Sequence, residues 1–331
     1  MTTTPVNQNN ADNEESALND YLQSLSKMNA TPLWTAMDKM VPPYPKPRAA
    51  PTTWAFSAMR PALMHAASIV GAEEAERRVL VLVNEAMAAP YTTDTIYAGL
   101  QIVLPGETAP AHRHRAFALR FIIEGTGGFT AIEGERIDMH RGDVVLTPSW
   151  QWHDHGNEGS DPVIWLDGLD LPLWQHIPIN FVDQYTEPRY PSEPAPDSAA
   201  RIPWKIVAQA LDEQRIPHAI YQYHLPDGSH LSKTISAQAE RVEAGHTTTT
   251  SCKVLSYIYH VYSGQGFSMI KTPNEAMAKR LDWTEKDTFA VPAWSEVSHT
   301  CTMDSGAVYL FALNDRPMIE SLTFLNKPYV T

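Results

Sequence analysis

The chain carries one pattern twice. TSCKVLSYIYHVYSGQGF (250–267) aligns with HRHRAFALRFIIEGTGGF (112–129) at an offset of 138, and KDTFAVPAWSEVSHTC aligns with RGDVVLTPSWQWHDHGN at an offset of 144, bringing Pro148 onto Pro292 and Trp150 onto Trp294. Each copy reads as apolar run, glycine-rich turn and second apolar run, the pattern of strand, turn and strand. The chain must therefore build two similar β-units, which suits its 331 residues, long enough for two domains.

Only the first copy is rich in histidine. His112 and His114 are two apart, so on a β-strand both imidazoles leave the same face while Arg113 points away. A later strand, GDVVLTPSWQWHDHGN, is expected to lie beside the first and supply His153 from across the barrel and, two residues on, His155. Neutral imidazoles suit Zn, Cu, Fe or Ni, and three of them on one side leave coordination positions open. A lone HxH pair is a weak signal. Here the flanking spacing adds to it: five residues separate Gly106 from His112, and Gly142 is followed by Pro148, Trp150, His153 and Asn157.

This spacing resembles the two signature motifs of the cupin superfamily, with Trp150 where the second motif usually has glycine. The glutamate ligand that normally follows the second histidine is missing, its place taken by Ala118 and Leu119. Within cupins, HRHRAFALRFIIEG, LTPSWQWHDHGN and WLDGLD resemble the gentisate 1,2-dioxygenase group, which includes salicylate and 1-hydroxy-2-naphthoate dioxygenases. The resemblance implies a mainly β bicupin, two jelly-roll-type barrels with an N-terminal helical arm. It also implies Fe(II) on His112, His114 and His153, and opening of a 2-hydroxybenzoate between its carboxyl- and hydroxyl-bearing carbons with O2. In the second copy the ligand positions become Thr250, Cys252 and Val297, which removes the site there, and His299 is read as structural. Sites are grafted onto folds, so copies of one fold can differ in chemistry.

The inward face of the strand continues from His114 through Ala116 and Ala118 to Arg120. A buried guanidinium needs an anionic partner. Pattern alone leaves two choices: an ion pair with Glu124 or Asp167, or a substrate carboxylate held by the fork. The resemblance implies the second, and places Tyr97, Gly99 and Gln101 along the pocket. His155 could be a fourth ligand; the resemblance instead implies a place beside substrate and oxygen, where it could donate a hydrogen bond or shuttle a proton. Asp167 is expected to orient a ligand or Arg120. Family relatives often carry glutamine at the position of Ala116, so a preference for 5-substituted salicylates alongside or instead of gentisate is expected.

Along the rest of the chain, the polar, Asn-rich first ~17 residues read as disordered. A helix starts at Leu18, and another covers Trp54 to Val70, kinked or stopped near Pro61. Strands are expected over Arg77 to Asn84 and Thr95 to Gly106. The division is an arm over 1–75, a metal-bearing barrel over 76–175, a proline-rich connection over 176–215 and a ligandless barrel over 216–331. A net charge of −13 disfavours nucleic acid, and Cys252 and Cys301 do not make a disulfide framework. No signal peptide or membrane-spanning run is evident, so a cytoplasmic protein is expected. Its partners would be an aromatic acid and O2, and by resemblance it would be a homotetramer. Another metallocupin, whether a different dioxygenase or a decarboxylase, and a non-enzymatic bicupin binding protein stay as alternatives.

Overall fold

The structure, a computed structural model, describes residues 8–75, 77–273 and 275–322. Residues up to Lys46 form one compact unit and those from Pro47 a second. The first unit holds the helix Gln8–Lys27 and two single turns, Leu33–Thr35 and Met37–Met40. The Asn-rich stretch expected to be disordered is thus helical from Gln8. Once the amphipathic part from Leu18 has formed, each further residue adds a hydrogen bond without a new nucleation cost. The second unit opens on the strand Thr52–Trp54, so Trp54 is not helical as expected; the helix is Phe56–Ile69, with Pro61 inside it.

Four sheets make two barrels, a bicupin fold. In the first barrel one sheet runs Arg201–Ile202, Val144–Thr147, Ala118–Glu124, Val163–Leu169, Tyr97–Val103 and Val79–Val81 in spatial order. Its other sheet runs Val182–Gln184, Thr108–His114, His153–Asn157, Gly128–Ile132, Glu135–Asp138 and Glu193–Pro194. The proline-rich connection therefore contributes three short strands to the edges of the first barrel. The second barrel repeats this plan with Tyr257–Ser263, Thr288–Val291 and Val308–Asn314 in one sheet and Gln265–Lys271 and Ser295–Cys301 in the other.

The repeat extends further than its sequence signal. Thr52–Trp54 precedes the first barrel but pairs with Thr288–Val291 of the second, while Arg201–Ile202 precedes the second and pairs with Val144–Thr147 of the first. The helix after each borrowed strand starts on an aspartate of the barrel it has joined: Phe56 N–H donates to Asp287 at 2.8 Å and Trp204 N–H to Asp143 at 3.0 Å. Between the barrels the outer faces of two sheets pack on each other, with Phe121 and Phe311 stacked 4.2 Å apart.

Register also corrects the repeat alignment. Ala118 pairs with Thr147, and Tyr257 pairs with Val291, the counterpart of Thr147 at the offset of 144. The strand after the ligands is thus displaced by 139 residues, not 138. His112 pairs with His153, and Ser251 pairs with Val297. The second-barrel counterparts of His112 and His114 are accordingly Ser251 and Lys253, in place of Thr250 and Cys252. The shift closes after the glycine turn, where a one-residue difference in length is absorbed. Cys252 is exposed and Cys301 is buried. Tyr257 and Tyr259 stand where the first barrel has Ala118 and Arg120, and with Phe289 and Trp283 they fill the second barrel's interior.

Candidate active site

The stretch Ala111 to Glu124, expected to be one strand, is two: Thr108–His114 in one sheet and Ala118–Glu124 in the other, joined by a bend over Arg115, Ala116 and Phe117. GDVVLTPSWQWHDHGN is likewise divided into Val144–Thr147 and His153–Asn157. The strand carrying His153 lies beside the first, as expected, and His153 stands directly opposite His112 on it, not across the barrel. Trp150, in the intervening turn, has φ +68°, and Trp294 has φ +61° at the same place in the second barrel. This left-handed backbone is the reason glycine is usual there.

His112, His114 and His153 each offer a ring nitrogen within 4.8 Å of the other two. Their orientation is fixed from behind. His112 Nδ1–H donates to Pro110 O at 2.9 Å, His114 Nδ1–H to Ala116 O at 2.8 Å and His153 Nδ1–H to Gln151 O at 2.9 Å. Since a carbonyl can only accept, all three rings carry their proton on Nδ1 and turn the Nε2 lone pair inward. Burial holds them neutral, taking His112 down to about 2 and His114 to about 4, and His153 also falls well below its ordinary value. His153 Nε2 is buried with no hydrogen-bond partner. Three neutral imidazoles with converging lone pairs and an unsatisfied buried nitrogen fit a transition-metal ion.

Beside the cluster lies a cavity of about 490 Å³, the size of a small-ligand site. Ala116 in the bend and Ala118 and Arg120 on the second strand line it with His112 and His114 of the first. The inward face survives the bend because the two sheets enclose the same interior. Arg120 and Asp167 face each other on neighbouring strands, with Nε 3.2 Å from Oδ1. Arg120 Nη1 also donates to Thr147 Oγ1, and Trp165 Nε1–H donates to Asp167 Oδ1 at 2.9 Å. Of the two carboxylates open to Arg120 in the sequence, the structure pairs it with Asp167; Glu124 instead joins Arg60 and Lys286. Burial pushes the Asp167 carboxyl up to about 6, with Arg120 and Trp165 pulling the other way.

Gln101 reaches the cavity with Nε2 buried and unpartnered. Tyr97 lines it too, its hydroxyl pushed upward by burial and so protonated. Gly99 is behind the wall: a Cβ there would come within 2.6 Å of Val79 Cγ1 and 2.8 Å of Tyr97 Oη, so its missing side chain gives those two residues their places. His155 lines the cavity but is outside the three-nitrogen cluster, and its Nδ1 is 2.9 Å from Thr130 Oγ1. His299 and Ser268 repeat that pair at 2.8 Å in the second barrel. The imidazole–hydroxyl pair is therefore part of the scaffold, and what distinguishes His155 is the cavity beside it.

Arg77 lines the cavity from just before Val79–Val81, and Asn180, Phe181, Val182 and Gln184 close it from the connection. Neither stands out in the sequence as part of a site. Two adjacent arginines before an inward-facing strand were the available signal for Arg77. The closing segment is held by its neighbours: Asp183 pairs with Arg113 at 2.8 Å, and Arg113 lies 4.5 Å above the ring of Trp150 and 4.3 Å above that of Trp152. Arg113 thus points away from the histidines, as the alternation requires.

The chain matches the Cupin domain model over residues 99–169. It is 34% identical to gentisate 1,2-dioxygenase 1 of Aquipseudomonas alcaligenes, the match covering 92% of this chain and 94% of the relative. The chain belongs to the gentisate and salicylate 1,2-dioxygenase family. Another relative in this family is a 5-aminosalicylate 1,2-dioxygenase from Comamonas, 31% identical over 95% of this chain and 91% of that one. The salicylate 1,2-dioxygenase of Pseudaminobacter salicylatoxidans superposes with a TM-score of 0.84 at 28% identity, covering 98% of each chain. That family enzyme has also been solved with gentisate.

Proposed function

We propose that the chain is an Fe(II)-dependent dioxygenase that opens a 2-hydroxybenzoate, gentisate or a 5-substituted salicylate, between its carboxyl- and hydroxyl-bearing carbons, both atoms of O2 entering the product. The observation that carries this is the convergence of three Nε2 lone pairs at the edge of a cavity lined by Arg120, Arg77 and Gln101. Names of family relatives support the substrate class, since they act on gentisate and 5-aminosalicylate. Iron held by His112, His114 and His153 would supply electron transfer between the aromatic ring and oxygen.

The chain's own residues bind and orient. Arg120, with Arg77 nearby, offers a guanidinium to the substrate carboxylate, which the overall charge of −13 would otherwise repel. Asp167 fixes the Arg120 fork from behind, Gln101 donates to a substrate oxygen, and Tyr97 and Ala116 bound the ring. His155, neutral and braced by Thr130, is placed to hold a proton at the substrate hydroxyl or the incoming oxygen. The segment Asn180 to Gln184 keeps water from the ring during the reaction. Oligomeric assembly is part of the proposal and is supported by exposed apolar side chains such as Trp34, Met40 and Val41. Among the described residues no helix is long and apolar enough to cross a membrane, and we place the protein in the cytoplasm.

Metal analysis after anaerobic purification, followed by oxygen uptake with a panel of hydroxybenzoates, tests the function. One iron per chain and uptake with a gentisate or salicylate are expected. No uptake with any member of the panel by iron-loaded protein would defeat it.

A further inference from the structure

Asp170, the last residue of WLDGLD, is 3% exposed and touches neither the cavity nor a histidine ring. Its carboxylate accepts three hydrogen bonds: from Phe117 N–H at 2.9 Å, from Trp174 Nε1–H at 2.9 Å and from the Thr234 hydroxyl at 2.6 Å. Phe117 N–H belongs to the same peptide group as Ala116 C=O, and that carbonyl accepts the His114 Nδ1 proton at 2.8 Å. A continuous line thus runs from Thr234, just before the first strand of the second barrel's core, through Asp170 and one peptide plane to the back of His114.

We propose that Asp170 is a positioning residue for the metal centre, acting on His114 through the Ala116–Phe117 peptide and anchored from the second barrel by Thr234. This rests on the reading of His112, His114 and His153 as metal ligands. Two effects are expected. The carboxylate and the imidazole grip opposite ends of one rigid peptide plane, so they fix the bend that carries His114 toward the other two ligands. A negative charge at the N–H end also polarises the amide, which strengthens the hydrogen bond its carbonyl accepts and makes His114 Nε2 more basic. The arrangement gives the ligandless barrel a part in the chemistry.

The second barrel contains the matching clamp without an imidazole at its end. Asp315 accepts Ser256 N–H at 3.0 Å and the Thr95 hydroxyl at 2.7 Å. Ser256 and Thr234 stand 139 residues after Phe117 and Thr95, so each barrel's aspartate holds its own bend and takes a threonine from the other. The carboxylate and its two partners are thus a property of the fold, and the connection to His114 belongs to the first barrel alone.

The test compares Asp170→Asn, Thr234→Val and Asp315→Asn in the full-length chain, using Co(II) affinity for metal-free protein as the readout beside thermal stability. Asp170→Asn keeps the acceptors for Phe117 and Trp174 but removes the charge. It should weaken Co(II) binding about ten-fold, the lower end for partners of ligating histidines. Thr234→Val should weaken it in the same direction, and Asp315→Asn should leave it within about two-fold of wild type. Wild-type Co(II) affinity in Asp170→Asn and Thr234→Val, or equal weakening by Asp170→Asn and Asp315→Asn, overturns the inference and leaves the metal site intact. Failure of the wild-type chain itself to bind Co(II), or unchanged binding in His153→Ala, defeats the metal-site reading and the inference with it.

Discussion

Replacing Arg120 separates its ion pair with Asp167 from the role proposed for it toward the substrate carboxylate. Arg120 and Asp167 are 4% and 5% exposed and face each other across two neighbouring strands. Arg120→Met strands a buried carboxylate whose titration is already pushed up to about 6, and removing one member of such a pair costs about 3–5 kcal/mol. Substrate binding would lose a charge-assisted hydrogen bond, ~1.5–3 kcal/mol, or about ten- to hundred-fold in affinity. Adding Asp167→Leu removes the stranded charge, and exchanging both members of a buried pair for apolar groups is often close to neutral. The double variant should therefore recover most of the lost stability and none of the lost affinity, with iron content near normal throughout. Denaturant unfolding and KM for a hydroxybenzoate, measured on wild type, both single variants and the double, give the full cycle. Wild-type KM in the double variant would show that Arg120 serves the pocket only as half of a structural pair.

Three further outcomes are expected. His112→Ala, His114→Ala and His153→Ala should each lose iron and activity, and full iron retention in all three, measured by metal analysis, would end the ligand assignment. Ala116 lines the cavity and offers a ring substituent no hydrogen-bonding group, so kcat/KM should favour salicylates with amino, nitro or halo groups at the 5-position alongside or over gentisate; strict gentisate specificity, unchanged in Ala116→Gln, would remove this position from substrate choice. Burial lifts the Asp315 carboxyl from 3.8 to about 6, so between those values the folded chain holds a proton that the unfolded chain has released. Stability from this group falls as pH rises through that window and is fully lost above it, by up to about 3 kcal/mol; the unfolding free energy of Asp315→Asn should gain on wild type between about pH 4 and 6, and a flat difference would contradict the shift.

The three-histidine cluster was legible because its signal is local. A two-residue period puts His112 beside His114 whatever the rest of the chain does, and the spacing around Gly142, Pro148 and His153 marks a turn that returns the chain to the same interior. Trp150 was legible only as a tryptophan standing where the motif usually has glycine; its backbone, at φ +68°, came from the structure. Arg120 was legible as an inward-facing cation, while its choice of Asp167 over Glu124 was not. That choice depends on which strand lies alongside, and Glu124, four residues further along the same strand, meets Arg60 and Lys286.

By itself the sequence determined that this chain has two β-units of one kind, that only the first carries converging imidazoles, and that its relatives are ring-cleaving dioxygenases. Tertiary structure alone decided the one-residue shift that makes Ser251 and Lys253 the counterparts of the ligands, because register is set by cross-strand pairing. It also brought Arg77 and the segment Asn180 to Gln184 to the cavity, exchanged the edge strands Thr52–Trp54 and Arg201–Ile202 between barrels, and ran Thr234 to Asp170. Each of these joins residues distant along the chain, and a pattern in neighbouring residues carries no record of which distant strand will supply the partner.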